Sequence, residues 1–129
     1  MIALDYGSAR TGVAVSDPTG TIARPVGVVE RAGTPEGLKR LAELIESEQA
    51  ERIVVGLPLT LAGGRGEQVL ATEEFVSRLR GVVAVPIETF DERFTTDIAS
   101  QTPSASSEDA RAAAHLLSSY LAWSSGAPA

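Results

Sequence analysis

The stretch Ile2-Ala3-Leu4-Asp5-Tyr6-Gly7-Ser8-Ala9-Arg10-Thr11-Gly12-Val13-Ala14-Val15-Ser16-Asp17 decides how the rest of the chain is read. Residues 2–6 read as a short apolar strand, and 11–17 as a second strand in which Val13 and Val15 alternate with smaller residues. Only a few residues join the two, so they pair antiparallel. A charge at the end of a buried strand is costly unless water or a partner offsets it. Asp5 therefore raises the question of what it faces. Downstream, Asp17-Pro18-Thr19-Gly20 carries Pro at the second turn position and Gly at the fourth, a type I pattern, and 21–31 supplies a third strand. The first third of the chain is an antiparallel meander.

The hydrophobic period then changes. Thr34-Pro35-Glu36 opens a helix with Pro at its first position, and Leu38, Leu41, Ala42 and Ile45 follow at helical spacing for about four turns. The continuous apolar run from Arg52 to Leu57 suits a central parallel strand. Gly63-Gly64-Arg65-Gly66 precedes a second helix carrying Val69, Thr72, Phe75, Val76 and Leu79, and Val82 to Ile87 reads as a fifth strand. Beyond Phe90 the chain turns polar, with Thr95 or Thr96 able to cap a short helix and a Pro/Ser-rich loop at 102–107. A last helix runs from about Glu108 to Trp123 with a stripe of Ala110, Ala113, Ala114, Leu117 and Leu121, and 124–129 reads as a frayed tail. Three antiparallel strands, then two helix-strand units and a final helix, give an α/β fold: a five-stranded mixed sheet with helices on both faces, in the ribonuclease H-like order. Residues 1–123 are expected to form a single domain.

Composition narrows the function classes. The 129 residues contain no cysteine, which excludes a disulfide framework and thiolate chemistry and leans towards a cytoplasmic setting. No run reaches the roughly 18 apolar residues of a membrane helix, so no membrane partner is expected. A net charge of −6 argues against holding nucleic acid through a general basic surface, although local or metal-mediated contact stays open.

Ligands of open α/β sheets gather beyond the carboxyl ends of the parallel strands. Asp5 lies at the exit of the first strand, Asp91 and Glu92 just past the last, and Asp109 in the first turn of the final helix. If that helix starts near the same edge, carboxylates from distant parts of the chain meet. Mutual repulsion then raises the pKa of some of them or recruits a cation. Magnesium or manganese suits such oxygen donors, and a divalent ion against a phosphate suits phosphodiester hydrolysis without a side-chain nucleophile. Each acid also has a plainer reading. Asp109 follows Ser106 in a Ser-x-x-Asp capping pattern, Glu92 beside Arg93 reads as a surface ion pair, Glu88 as a solvated flank, and His115 as a packing or surface residue of an alanine-rich helix.

Together, the blocks ALDYGSARTGVAVSD, IVVGLPL followed by GGRGEQ, DERFTT and DARAAAHLLSSYL resemble, in order and spacing over nearly the whole chain, the YqgF family of Holliday-junction-resolvase-like nucleases. The resemblance implies a ribonuclease H-like fold and a nuclease role at the 5′ end of the small-subunit ribosomal RNA precursor, with branched DNA as the alternative substrate. It places the family's metal-site acids on Asp5, Glu92 and Asp109, with Asp91 as an auxiliary ligand. Gly7 and Gly12 would then let the first hairpin approach a phosphate, and Arg10 and Arg93 would hold phosphate oxygens. One departure stands out: 101–107 carries no basic residue where relatives carry several.

Two other classes compete. Asp5-x-Gly7 with Gly12 also fits the phosphate loop of actin-like ATPases and sugar kinases, but those close two lobes on a nucleotide and 129 residues supply one. A catalytically silent nucleic-acid-binding module is the third reading, against which the retained acids argue. Cutting two opposed strands of a junction symmetrically requires a homodimer, whereas trimming one RNA end does not, so monomer and homodimer both remain expected.

Overall fold

The computed structural model describes residues 1–17, 19–20, 22–59, 66–92 and 108–124. Strands β1 (Ile2–Asp5), β2 (Arg10–Ser16) and β3 (Ala23–Glu30) precede helix α1 (Pro35–Ser47), strand β4 (Ile53–Leu57), helix α2 (Glu67–Arg80), strand β5 (Ile87–Asp91) and helix α3 (Glu108–Ser124). They build one five-stranded sheet in the order β3-β2-β1-β4-β5, antiparallel from β3 to β1 and parallel from β1 to β5. The mixed sheet expected from periodicity is the one observed.

Strand alternation gives the two faces different contents. Ile2, Leu4, Val13, Val15, Ile53 and Val55 point to one face and pack under α1 and α2 through Leu38, Leu41, Ile45, Phe75, Val76 and Leu79. Ala3, Ala14, Val54 and Phe90 point to the other and meet Ala113, Leu116, Leu117 and Tyr120 of α3. Small strand residues on the second face let α3 lie close. Local signals place the helices: the Thr34 hydroxyl accepts the Gly37 N–H at 3.1 Å to cap α1, Pro35 fills its first position, and Gly66 precedes α2. The hairpin turn after β2 closes with Gly20 N–H donating to the Asp17 carbonyl at 2.9 Å, and Gly20 adopts φ 70°.

Three expectations shift. The fifth strand is not Val82–Ile87 but Ile87–Asp91: Gly81 ends α2, and the Val82 and Val83 N–H groups return to the Leu79 carbonyl instead of joining the ladder. Val83 and Val85 still pack against the core, which gives this linker the apolar pattern of a strand. Asp91 is consequently the last residue of β5, opposite Leu57, rather than beyond it. The buried stripe of α3 is Ala110, Ala113, Leu116, Leu117 and Tyr120, so Leu116 and Tyr120 take the places expected for Ala114 and Leu121. Glu88 is half-buried and hydrogen-bonds the Tyr120 hydroxyl, which also accepts from Arg52 Nη1 at 3.4 Å, so it is no solvated flank. The expected helix near Thr95–Thr96, the loop at 102–107 and the frayed tail at 125–129 lie outside the described residues.

Candidate active site

Asp5 ends β1 and, two residues after Ala3, points to the α3 face. Its neighbours across the sheet are Gly12 on β2, its antiparallel partner, and Gly56 on β4, one position beyond the Leu4–Val55 pair. Both lack a side chain for a spatial reason. A Cβ on Gly12 would collide with the backbone carbonyl oxygen of Asp109, so the first turn of α3 rests directly on this strand. A Cβ on Gly56 would stand 2.6 Å from Glu92 Oε1 and 3.0 Å from its Cγ, so the Glu92 side chain lies over that strand. Glycine on each side of Asp5 thus admits one carboxylate from the end of β5 and one helix start. Gly12 is accounted for by this helix contact instead of by an open approach to phosphate. Gly7 shapes the β1–β2 turn, where a Cβ would stand 2.6 Å from the Arg10 carbonyl oxygen.

Asp5 and Glu92 are hydrogen-bonded through their side chains, which requires a proton between them. Burial, then the Asp5 charge and hydrogen bond, then the Asp91 charge push the Glu92 carboxyl up to about 7. Burial also raises the Asp5 carboxyl; the hydrogen bond from Glu92 opposes this and the Asp109 charge adds to it. Near neutral pH, Glu92 is the member that carries the shared proton and donates it to Asp5.

Asp109 stands beside the pair within electrostatic reach of Asp5, but its Oδ2 is held 3.2 Å from Arg10 Nε. The structure therefore brings Asp5 and Glu92 into contact and leaves Asp109 as an ion-paired neighbour. Among the described residues, no group of three or more His, Cys, Asp or Glu side chains is placed to hold a metal ion. Asp91 adds charge next to Glu92, and Arg93 lies outside the described residues. Gly56 escaped the sequence reading, although a glycine inside an apolar strand signals close approach. Tyr6 escaped it too: its ring stacks on Phe75 with centroids 4.3 Å apart and anchors the turn after Asp5 to α2.

Known proteins share this arrangement of elements. Residues 1–123 match the family model described as "RuvX: Holliday junction resolvase". A protein of Roseiflexus named "Putative pre-16S rRNA nuclease" is 43% identical over 74% of this chain and 68% of its own length. One of the same name from Syntrophomonas wolfei is 35% identical over 94% of this chain and 92% of its own. In structure, the chain superimposes on Thermus thermophilus RuvC in complex with Holliday junction substrate with a TM-score of 0.66 at 13% identity, covering 98% of this chain and 96% of that one. A second T. thermophilus RuvC structure gives a TM-score of 0.62 at 16% identity, covering 98% and 97%. The sheet order is that of the ribonuclease H-like fold. With the family model matched from Met1 to Trp123, the chain belongs to the RuvX (YqgF) family.

Proposed function

We propose that this protein is a divalent-metal-dependent endonuclease that hydrolyses phosphodiester bonds in precursor 16S ribosomal RNA. The observation that carries the reading is the Asp5–Glu92 carboxyl pair at the carboxyl edge of β1, with Asp109 next to it. Two half-buried carboxyls sharing a proton form a site short of positive charge, and hard oxygen donors of this kind suit Mg²⁺ or Mn²⁺. Asp5 and Glu92 would hold the ion, joined by Asp109 once it leaves Arg10, while Asp91 adds negative charge alongside. When bound, such an ion supplies charge against the attacked phosphate and lowers the pKa of the attacking water.

The protein's own groups do the remaining work. Glu92 would give up its proton when an ion loads, so occupancy would rise with pH towards neutrality. Arg10 is 66% exposed in its side chain and can exchange Asp109 for a phosphate oxygen, which couples substrate arrival to release of the third carboxylate. Gly12 and Gly56 keep the ledge beside Asp5 free of side chains of their own.

The relatives' name favours precursor ribosomal RNA, and the family's description supports a second reading, resolution of four-way DNA junctions. Incubating the purified protein with precursor ribosomal RNA and with junction DNA, each with Mg²⁺, with Mn²⁺ and with chelator, tests both. Metal-dependent cutting of the RNA is the expected result. Cutting confined to junction DNA transfers the assignment, and no cutting of either substrate at high protein concentration leaves a binding module.

A further inference from the structure

On the far side of the β1–β2 turn from the carboxyl pair lies a cavity of about 440 Å³. Its polar wall is formed by Tyr6 and Ser8 of the turn, Arg31 and Thr34 of the β3–α1 corner, and Arg78 of α2. We propose that this cavity is a second nucleic-acid contact, which takes a backbone phosphate of the strand flanking the scissile bond; the proposal rests on the nuclease reading.

The argument starts with Arg31. Its backbone is left-handed, φ 49°, an arrangement uncommon for a side chain with a Cβ. Hydrogen bonds hold it there: its N–H donates to the Ala9 carbonyl at 3.0 Å, and its carbonyl accepts from the Thr34 N–H and hydroxyl at 3.0 and 2.8 Å. Gly37 at the start of α1 leaves room for that same carbonyl. The strained corner is thus tied at once to the β1–β2 turn and to α1, and it sets Arg31 in the cavity wall with no ion pair among the described residues.

Arg78 reaches the cavity from the opposite wall. Its Nη1 donates to the Gly33 carbonyl at 3.1 Å and its Nη2 to Glu74 Oε1 at 2.5 Å, so it is pre-positioned and partly neutralised. Tyr6 and Ser8 line the same space, and their hydroxyls are not hydrogen-bonded among the described residues. An arginine with no ion pair, a second one fixed by hydrogen bonds and two hydroxyl-bearing residues offer the donors that phosphodiester oxygens accept. The adjoining cavity of about 470 Å³, which shares Tyr6 and Ser8, includes Glu67 and is the poorer place for an anion.

Spacing links the cavity to the acids. Ser8 is three residues from Asp5, no more than about 10 Å of extended chain. Phosphates recur about every 3.4 Å along the axis of one strand, so a strand crossing the carboxyl pair can set a neighbouring phosphate in the cavity. The chain also needs cations somewhere: its net charge is −6, and 101–107 carries none.

The test is binding of a 12-nucleotide single-stranded RNA, with DNA of the same sequence as a second arm, by fluorescence anisotropy in chelator over a range of salt. Arg31→Asn suits the left-handed backbone and should melt like wild type. It should weaken binding by about threefold to tenfold and flatten the slope of log affinity against log salt by about 0.7, the value of one phosphate contact on a single strand. Arg24→Asn removes the same charge at the other end of β3 and should leave the slope unchanged. With Mg²⁺, Arg31→Asn should raise KM for RNA cleavage and leave kcat in place, because the contact lies away from the reacting bond. Wild-type slope and affinity in Arg31→Asn, while the wild type binds and cuts, would overturn the cavity alone. Absence of binding by the wild type, with or without Mg²⁺, would overturn the cavity and the nuclease reading together. An equal loss for Arg31→Asn and Arg24→Asn would reduce the effect to net charge and also overturn the cavity.

Discussion

The two faces of the sheet are built from the same strands to opposite specifications. Under α1 and α2, Ile2, Leu4, Val13, Val55 and their helix partners fill space with branched side chains, and among the described residues no charged group is buried with them. Under α3 the same strands offer Ala3, Ala14, Gly12 and Gly56, and at the edge the packing gives way to Asp5 and Glu92. One face earns stability from apolar area; the other gives up area so that a helix start and two carboxyls can approach a strand end.

Substitutions on each face should separate these roles. Asp5→Asn is expected to lower metal-dependent cleavage of precursor RNA by about 10²-fold or more, since it removes charge where the account places the ion. Its thermal midpoint should stay at or above wild type, because the cost of burying the Asp5 charge and its repulsion with Asp109 are relieved and together outweigh the hydrogen bond from Glu92. Unfolding of this variant would make Asp5 structural and erase the contrast. Leu41→Ala, on the α1 face and fully buried, should cost about 2–5 kcal/mol in urea unfolding while cleavage per folded molecule is unchanged.

Gly12→Ala sharpens the comparison, since the added methyl would strike the Asp109 backbone and push α3 off the sheet. A loss of about 1–3 kcal/mol is expected by urea unfolding, accompanied by loss of activity. Gly27→Ala on β3, where nothing lies within 4 Å of the new Cβ, should be neutral within about 0.5 kcal/mol. Equal effects at the two glycines would mean that α3 does not depend on close approach.

The carboxyl face should also show a pH dependence. The folded Glu92 carboxyl titrates at about 7 against an ordinary value of 4.5, so the folded state holds the extra proton between those limits. Stability from this group is therefore full below about pH 4.5, declines as pH rises and is lost above about 7. Glu92→Gln should match wild type at pH 4 and exceed it at pH 8, by on the order of 2 kcal/mol after allowance for solvent screening. Thermal melts at the two pH values check the sign; a variant less stable at pH 8 would show that the carboxylate is stabilising instead.

Much of this was legible in the chain. The period-2 run of β2, the Thr34-Pro35 cap and the five buried positions of α2 follow from side-chain spacing that local physics enforces. Val83 and Val85 misled because a linker packed on a core repeats the alternation of a strand without its ladder. The acids were visible as candidates, since charge at a strand end is costly, but their order of contact was not. That Glu92 meets Asp5 while Asp109 turns to Arg10 depends on where two glycines, far apart in the chain, let a side chain and a helix come down. The left-handed Arg31 had no sequence sign, because arginine shows no local preference for that backbone.

Mg²⁺ titration by calorimetry, run at pH 6 in two buffers of different ionisation enthalpy, bears most directly on the shared proton as the cation's place. The account predicts binding to the wild type with release of close to one proton, binding without proton release at pH 8.5, and none to Asp5→Asn. Undiminished binding by Asp5→Asn, or no proton release at pH 6, would contradict it.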